Sequence, residues 1–581
     1  MTLPPLSNLV AVHDPETANL DRIEQYVRDT GDFQSIWRPG PTWLAGASAL
    51  PGSEPDPPVI RDNGFAFAEG RSDVLGEGNC SPTSVRELGE LVDSHPERLS
   101  HLPGDFSFMR FNCGGGATVV RSCGGLVPIY FGQSGQTLVI GTRLEFLARL
   151  QSDRAEIDPF ATAVWMSAYG FLPYGRAPIK GVRLLPRGHY AENLGVRHID
   201  PRIYWDPRPR SERELVPSAE HGERLRQLLV RTLDRDLDTD GDNLLTLSGG
   251  VDSSSLGSLA TGTLGRPVST LSLVPAFPKG RARELAYIES VRSRFRFGRK
   301  WTIVLDDPKK LELLLEAPPV VFPVLHPLLW ALPQIHQENP VRVLFGGEFG
   351  DEVCGAYATL PDWVVHTSLL SLARGVRKLP MGPRDVVRWT RRRSLAAIRR
   401  PILPQVAGKL PNWVRPDLQD QYRDLRGELR ARINRDRRPL PYLSLSADAD
   451  AWLPMNWEVT SSLGIRRSNP FFTREILELA YECHPSELLG PGTKKLIRQA
   501  LRGDVPSINL NRQDRGEWGT PPELERTWQT PLPDELTEIV REEFFPKPVS
   551  PLPYRDYVNL TILVRFATRL RDVRFSERSS A

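Results

Sequence analysis

Cysteine is scarce in this sequence, and the few cysteines are scattered. The chain has 581 residues and five cysteines. None of them forms a C-x-x-C pair: Cys80, Cys113, Cys123, Cys354 and Cys483. This spacing argues against a zinc site, a redox dithiol and a disulfide scaffold, and it is typical of proteins from a reducing cytosol.

Long apolar runs and targeting signals are also missing. The most apolar window, residues 320–335, is interrupted by Pro323, His326, Pro327 and Pro333, so it is too short and too broken to span a bilayer. The first residues lack a positive segment followed by an apolar core, which excludes a typical secretion signal. We therefore expect a cytoplasmic protein with no membrane partner.

Charge of one sign is not in excess, because 74 basic and 71 acidic residues give a net charge of +3. This balance does not indicate a general nucleic-acid binder. The arginines nevertheless concentrate in residues 374–438, among tryptophans and prolines: Arg388, Arg391, Arg392, Arg393, Arg399, Arg400, Arg423, Arg426, Arg430, Arg432, Arg435, Arg437 and Arg438. This segment is either a solvated helical face or a partner surface, and as a surface we favour a peptide or acidic partner over RNA.

The strongest pattern that is present lies in the middle of the chain. A short apolar run, residues 244–247, enters a serine- and glycine-rich turn that is followed by helical spacing. A strand, a small-residue turn and a helix N-terminus in that order form an anion site. The predicted nucleotide-binding residues are Leu247, Ser248, Gly249, Gly250, Val251, Asp252, Ser253 and Ser254. Asp252 would repel phosphate unless Mg²⁺ lay between them.

A second strand-to-turn pattern carries three acids. The apolar residues 341–345 are followed by a glycine turn with Gly347, Glu348, Asp351 and Glu352. Two carboxylates from different strand ends suit one Mg²⁺, so Asp252 and Asp351 are the predicted metal ligands. Glu348 and Glu352 are candidates for a general base or for holding the substrate, and Gly347 is a predicted nucleotide contact.

Strands and helices alternate in this part of the chain. Residues 268–274 and 301–305 predict strands and residues 284–296 a helix, which indicates a parallel, doubly wound sheet with ligands at the carboxyl ends of its strands. Ser272 and Leu273 are placed at such an end and are predicted to contact the nucleotide.

These motifs resemble those of the asparagine synthetase superfamily. Ser-Gly-Gly-Val-Asp-Ser-Ser resembles the pyrophosphate loop of enzymes that split ATP into AMP and pyrophosphate, and the second turn resembles Ser-Gly-Glu-Gly-x-Asp-Glu, with Gly346 and Phe349 as departures. Residues 464–473 resemble a further family segment whose acids are missing here, and residues 492–498 resemble its Lys-x-x-Leu-Arg helix. The resemblance implies ATP and Mg²⁺ as cofactors and a catalytic Lys494 that neutralises charge on the α-phosphate, with Lys495 as the alternative.

The first part of the chain resembles the glutaminase domain of the same superfamily. Residues 104–111, 117–121 and 137–141 predict strands separated by glycine turns, and the resemblance implies an N-terminal-nucleophile αββα sandwich. That domain uses a cysteine directly after the initiator Met, whereas Thr2 stands here. Ammonia from glutamine is then not the nucleophile. We expect a relic domain for folding, docking or dimerisation, with Thr2 as a nucleophile of its own as the alternative.

The predicted fold class is α/β with two domains, since the length exceeds a single core. Residues 1–205 are the degenerate glutaminase-like domain and residues 206–218 a linker. Residues 219–574 are the doubly wound pyrophosphate-loop synthetase domain with added helices and the insertion at 374–438. Residues 575–581 are a flexible tail.

Among superfamily members, the sequence is most similar to lasso-peptide cyclases. These lack the cysteine and carry an Arg/Pro/Trp-rich insertion, of which residues 409–416 look like a part. The resemblance implies an AMP-forming ligase that joins an Asp or Glu side chain of a precursor core peptide to the peptide N-terminus, with a leader peptidase and a leader-recognition protein as partners. The alternatives are a beta-lactam-synthetase-like ligase, an asparagine-synthetase-like amidotransferase, a tRNA-modifying pyrophosphate-loop enzyme and a non-catalytic scaffold.

Overall fold

The structure is a computed structural model. It describes residues 6–30, 33–49, 59–61, 64–72, 82–102, 104–112, 115–151, 158–161, 164, 175–194, 201–207, 218–239, 241–275, 277–305, 326–354, 410, 414–435, 452–461, 463–483, 485–488 and 494–512. Thr2, most of the predicted linker, most of the arginine-rich segment and the predicted tail lie outside the described residues. The predicted domain boundaries therefore stay predictions.

Two antiparallel sheets make up the N-terminal part of the chain. The first contains β1 (Leu6–His13), β2 (Ser35–Gly40), β3 (Trp43–Ala49), β8 (Tyr130–Ser134), β9 (Thr137–Gly141) and β10 (Val182–Leu184), in the order β10-β8-β9-β1-β3-β2. The second contains β4 (Val59–Arg61), β5 (Gly64–Ser72), β6 (Gly104–Asn112), β7 (Ala117–Arg121), β11 (His189–Leu194) and β12 (Arg202–Ile203), in the order β12-β11-β7-β6-β5-β4.

The two sheets pack face to face because their strands alternate apolar residues toward a shared layer. Trp43, Phe65 and Phe111 pack together in that layer, and the Phe65 and Phe111 rings are stacked 4.6 Å apart. Helices α1 (Thr17–Thr30) and α3 (Leu144–Gln151) contact the first sheet, and α2 (Pro82–Ser94) contacts the second. The predicted αββα sandwich is therefore confirmed.

A parallel five-stranded sheet organises the rest of the described chain. Its strands are β13 (Asn243–Thr246), β14 (Val268–Pro275), β15 (Lys300–Leu305), β16 (Val343–Gly346) and β17 (Arg466–Ser468), in the order β15-β14-β13-β16-β17. The helices are α4 (Glu220–Asp236), α5 (Val251–Ser258), α6 (Pro278–Arg294), α7 (His326–Glu338), α8 (Gly350–Val353), α9 (Pro416–Arg435), α10 (Trp452–Ser461), α11 (Arg474–Glu482), α12 (Pro485–Leu488), α13 (Lys495–Ala500) and α14 (Ser507–Leu510). The predicted doubly wound α/β class is confirmed.

The strand order places a ligand crevice between β13 and β16. Along the chain, the sheet grows from β13 to β14 and β15 on one side, and then from β16 to β17 on the other. Where such a sheet reverses direction, the loops after the two central strands separate and leave a crevice at their carboxyl ends. Thr246 and Gly346, the last residues of β13 and β16, are direct register partners. Both predicted motif turns therefore begin side by side.

The two parts of the chain are packed against each other. The Trp205 indole N–H donates to Glu478 on α11 at 2.9 Å, and the Arg187 guanidinium lies over the Phe472 ring at 4.7 Å. A single apolar core joins residues of the second N-terminal sheet to residues of α4 and α11. Within the described residues, no helix has the length and apolar composition that crossing a bilayer requires.

The described part of the arginine-rich segment is the amphipathic helix α9. Leu418, Tyr422 and Leu425 on one face are buried in the core, whereas Arg423 on the opposite face is mostly exposed and pairs with Asp420 at 2.9 Å. Exposed ion pairs of this kind contribute at most about 1 kcal/mol. Along α9, the solvated-face interpretation agrees with the structure.

Candidate active site

The predicted pyrophosphate loop forms a compact turn closed by its own serines. The Ser248 amide N–H donates to Ser253 Oγ at 3.1 Å, and the Gly250 amide N–H donates to Ser248 Oγ at 3.3 Å. Gly249 has a positive φ of 70°, which glycine adopts without strain. Helix α5 begins directly after Gly250, so its first-turn amides have no acceptor within the helix and face the crevice.

A residue outside the predicted motifs holds this loop in place. Asn509 on α14 is fully buried, and its amide group donates to the carbonyl oxygens of Gly249 and Tyr287, each at 2.9 Å. Its oxygen accepts a hydrogen bond from Ser290. A lone asparagine in a short helix 260 residues from the loop has no local sequence signal, because its function depends on the tertiary fold.

Replacing Asn509 with alanine should weaken ATP binding about ten-fold and lower the free energy of unfolding by about 2 kcal/mol. The buried Gly249 carbonyl would lose this donor, whereas the Tyr287 carbonyl would still accept from Ser290. An unsatisfied buried group costs about 1–3 kcal/mol. Isothermal titration with ATP and urea unfolding measure the two effects. Ser507→Ala, an exposed change on the same helix, is the control. Unchanged ATP affinity in Asn509→Ala would show that the loop keeps its shape alone.

The second motif turn lies directly against the first. A Cβ atom at Gly347 would come within 2.7 Å of the Ser253 nitrogen, and one at Gly350 within 2.5 Å of Asp252 Cγ. Any side chain at either position would push the two turns apart. Gly347 is therefore required for close approach of the turns, while its predicted contact with the nucleotide stays a prediction.

Three charged side chains from separate segments meet where the turns touch. The Lys494 ammonium is hydrogen-bonded to Asp252 Oδ2 and lies 2.7 Å from Asp351 Oδ1. Lys494 and Asp252 side chains are each 13% exposed and Asp351 is 34% exposed. Burial raises the pKa of the Asp252 carboxyl to about 6, and the negative charge of Asp351 adds to the increase. The positive charge of Lys494 lowers the same pKa but only partly offsets the effect of burial. The structure thus brings together the three residues that the sequence singled out for metal and charge chemistry.

The donor set of this cluster fits Mg²⁺. Asp252 Oδ1 is buried and has no hydrogen-bond partner among the described residues, so one oxygen remains for another ligand. The two carboxylates already share one cation, the Lys494 ammonium. Hard oxygen donors from one or two carboxylates are the protein ligands that Mg²⁺ prefers. Asp252 and Asp351 are therefore the residues that would hold the ion, and their assignment as metal ligands stays a prediction.

The two other acids of the second turn have different surroundings. Glu348 pairs with Arg467 of β17, whose side chain is only 1% exposed, at 2.5 Å. Glu352 lies beside Asp351, and burial together with that charge raises the pKa of its carboxyl to about 7. A group with that pKa can exchange a proton near neutral pH. Of the two predicted candidates for a base, Glu352 has the more suitable environment, and both roles stay predictions.

Phe349 occupies a backbone conformation that the family motif reserves for glycine. Its φ is 66°, in the left-handed region, which costs a non-glycine residue about 1–2 kcal/mol. The Phe349 ring lies 4.0 Å from the Phe472 ring, at 34°. The guanidinium of Arg187, from the N-terminal part, also lies over the Phe472 ring. We call Phe349, Phe472 and Arg187 the aromatic shelf; its packing offsets the backbone strain beside Asp351.

At position 349, glycine should give a more stable protein than alanine, by about 1 kcal/mol. Both substitutions lose the ring contact, but only glycine also relieves the left-handed strain. At an ordinary helical site the order is reversed, so Gln227→Gly and Gln227→Ala on the exposed face of α4 are the matched control. Urea unfolding midpoints decide: equal stability of the two Phe349 variants would mean that the backbone at 349 carries no strain.

The residues predicted from β14 are placed differently from the expectation. Ser272 is not at the end of its strand, because β14 continues to Pro275. Its hydroxyl is fully buried, donates to the Leu247 carbonyl at 2.7 Å and accepts from Arg292 at 3.1 Å. The strand-end position predicted for Ser272 is therefore wrong, and its hydroxyl supports the loop from inside. Leu273 is half-buried, one residue further along β14.

Comparisons with known proteins give one family. The model described as asparagine synthase matches residues 224–580, and a comparison with curated proteins found no match. Among solved structures the chain is similar to one titled as the allosteric regulatory enzyme of purine biosynthesis, with a TM-score of 0.23 and 10% identity over 54% of this chain and 82% of that one. For glutamine phosphoribosylpyrophosphate amidotransferase from B. subtilis the TM-score is 0.22 and the sequence identity 11%, over 59% of this chain and 90% of that one. For NMN synthetase from Francisella tularensis the TM-score is 0.18 and the sequence identity 21%, over 24% of this chain and 58% of that one.

Proposed function

Because the chain belongs to the asparagine synthase family, we propose that it is an AMP-forming ligase that closes a ring in a peptide. Membership of the family supports an ATP-using, ligase-type enzyme that forms or activates a carbon–nitrogen bond. The finer proposal is a lasso-peptide cyclase: an Asp or Glu side chain of a core peptide is joined to the N-terminal amine of the same peptide.

The chemistry divides into an activating half and an acceptor half. A carboxylate must first gain a leaving group, so its oxygen attacks the α-phosphate of ATP and pyrophosphate departs. The first-turn amides of α5 hold the departing phosphates, and Lys494 neutralises charge on the α-phosphate. Asp252 and Asp351 would hold Mg²⁺, which when bound would supply further positive charge to the phosphates. The amine then attacks the acyl carbon, AMP leaves, and Glu352 accepts the proton that the amine loses.

The observation that carries the proposal is that the residues expected to activate the carboxylate are present and lie together, whereas the neighbouring acceptor side differs from the family pattern. Asp252, Asp351 and Lys494 meet as the reaction needs. The neighbouring segment, residues 464–473, lacks the acids of the family segment that it resembles, and its Arg467 forms an ion pair with Glu348. The aromatic shelf occupies the place of a family glycine. An aromatic side chain in place of a glycine suits a peptide substrate better than a free amino acid.

The proposed partners follow from the proposed substrate. A core peptide with a free N-terminus must be released from its precursor, so a leader peptidase and a leader-recognition protein are expected to act with this chain. ATP and Mg²⁺ are the proposed cofactors.

The test combines the full chain with ATP, Mg²⁺ and a leader-free candidate peptide. Loss of one water from the peptide, with one AMP formed per ring, is the expected result. Two control peptides separate carboxylate activation from ring closure. When the ring-forming Asp is changed to Asn, neither AMP nor a ring should form. When the N-terminus is acetylated, no ring should form, but hydroxylamine should still trap the activated acyl group.

Each alternative has its own outcome in the same assay. AMP formed only with a small β-amino acid would replace the proposal by a beta-lactam-synthetase-like ligase, and glutamine-dependent amide formation would indicate an asparagine-synthetase-like amidotransferase. AMP formation that requires tRNA would place the chain among tRNA-modifying enzymes.

A further inference from the structure

A second cluster of ligand-type side chains lies where α4, α11 and α12 meet. His221 is in the first turn of α4, Cys483 directly follows α11, and Glu487 lies in α12. One ligand atom from each side chain lies within 4.8 Å of the other two. His221 lies 266 residues before Glu487 in the chain, so the fold brings it to the neighbouring pair Cys483 and Glu487.

The distances suit a single small ion. His221 Nδ1 lies 3.0 and 3.1 Å from the two Glu487 oxygens. Nitrogen and oxygen or sulfur ligands about 2.0–2.3 Å from a tetrahedral zinc ion lie about 3.3–3.6 Å from one another. Small rotations of the three side chains would meet that requirement. Cys483 and Glu487 are buried, and His221 is 15% exposed, so exchange of an ion with solvent is possible past the imidazole.

The chemistry of the three donors selects the metal. A thiolate and an imidazole are ligands for zinc and similar transition ions, whereas Mg²⁺ and Ca²⁺ take oxygen donors. On binding, the thiol releases its proton to solvent, and one thiolate, one carboxylate and a neutral imidazole balance the divalent charge. Lys495 is the nearby basic group, because the Glu487 charge acts on its ammonium.

We propose that His221, Cys483 and Glu487 form a zinc site, with water as the fourth ligand. The site lies beside the helix that follows Lys494: Gly222 of α4 would meet Ala500 of α13 at 3.6 Å through an added Cβ, and α12 contacts α13. A bound ion would tie the start of α4 to the end of α11 and so stabilise the support of the lysine helix. The absence of C-x-x-C pairs argues against a zinc site made of paired cysteines, whereas the site proposed here uses one cysteine together with a histidine and a glutamate.

Titration of the metal-free full chain with Co²⁺ tests the site, in excess Mg²⁺ to saturate the carboxylates near Lys494. One Co²⁺ per chain with thiolate-to-metal charge-transfer absorption, displaced by Zn²⁺, is the expected result, together with a higher unfolding temperature when Zn²⁺ is bound. Cys483→Ser should abolish the absorption and weaken Zn²⁺ binding more than about 100-fold, since loss of outer partners alone costs about 10–100-fold.

The controls separate this site from other thiols and from the ligase reaction. Cys123→Ser alters a buried cysteine of the N-terminal part and should keep the full signal. Glu487→Gln should weaken Zn²⁺ binding while keeping the charge-transfer band. If the unaltered chain shows no thiolate absorption, or Cys483→Ser retains it, the cluster is a His–Glu hydrogen bond beside a thiol and the proposal is overturned. No ATP is present, so the result is independent of the proposed function.

Discussion

Asp252→Asn should abolish AMP release, with a loss of at least about 100-fold in turnover and little change in stability. The variant keeps the shape of the side chain and one hydrogen bond to Lys494, but it removes the charge that a metal ligand needs. Asp252 Oδ1 is buried and has no hydrogen-bond partner in the part of the chain that the structure describes, so we expect the loss to fall on ligand binding. AMP formation by chromatography and thermal unfolding measure the two properties.

The matched control for Asp252→Asn is Asp234→Asn. Asp234 is an acid of α4 that is 58% exposed and pairs at 2.6 Å with Arg266. Arg266 lies just before the start of β14, whereas the crevice is at the carboxyl ends of the strands. Asp234→Asn should leave turnover unchanged. Turnover retained in Asp252→Asn would refute the metal role of that carboxylate, and an equal loss in both variants would point to net charge.

The activating half could be predicted from the sequence because its signals are local. A strand, a glycine turn and a helix follow one another within a few residues, and the two acids stand at fixed positions in those turns. The parallel order of β13 and β16 then makes the turns neighbours without further information. Lys494 came from the family resemblance, and its contact with both carboxylates came from the fold.

The supporting residues could not be predicted in this way, because their roles depend on distant contacts. Asn509 donates a hydrogen bond to Gly249, which lies 260 residues earlier in the chain. Ser272 donates to the Leu247 carbonyl from within β14, which extends further than its apolar run suggested. Helix α6 begins at Pro278, six residues before the predicted start, since proline suits the first helical turn.

The N-terminal part gains a physical role from the aromatic shelf. Arg187 is buried, donates to the Cys123 carbonyl at 2.9 Å and covers Phe472, which in turn supports the strained Phe349. A domain kept for docking, as expected from the sequence, would act on the site through this contact. The role follows from packing and requires no catalysis in the N-terminal part.

Lys494→Ala should lower turnover at least about 100-fold and yet raise the affinity of the ligand-free chain for Mn²⁺ at least about ten-fold. In the structure, the ammonium lies between the carboxylates of Asp252 and Asp351, where a divalent ion would also bind. Two cations at one pair of carboxylates repel each other; at about 4 Å and an effective dielectric constant of about 20 the repulsion is about 4 kcal/mol. Removing the ammonium removes a competitor for the ion.

Mn²⁺ binding followed by electron paramagnetic resonance, without ATP, separates this effect from catalysis. Lys494→Arg keeps the charge and should bind Mn²⁺ as weakly as the unaltered chain, and Lys495→Ala should change nothing at this site. Asp252→Asn should shift the affinity in the opposite direction, because it removes a ligand. If Lys494→Ala bound Mn²⁺ no more tightly, the ammonium and the metal would occupy separate places. The opposite signs expected for the two variants follow from one geometry, in which the lysine proposed to serve the α-phosphate lies between the two carboxylates proposed to hold the metal.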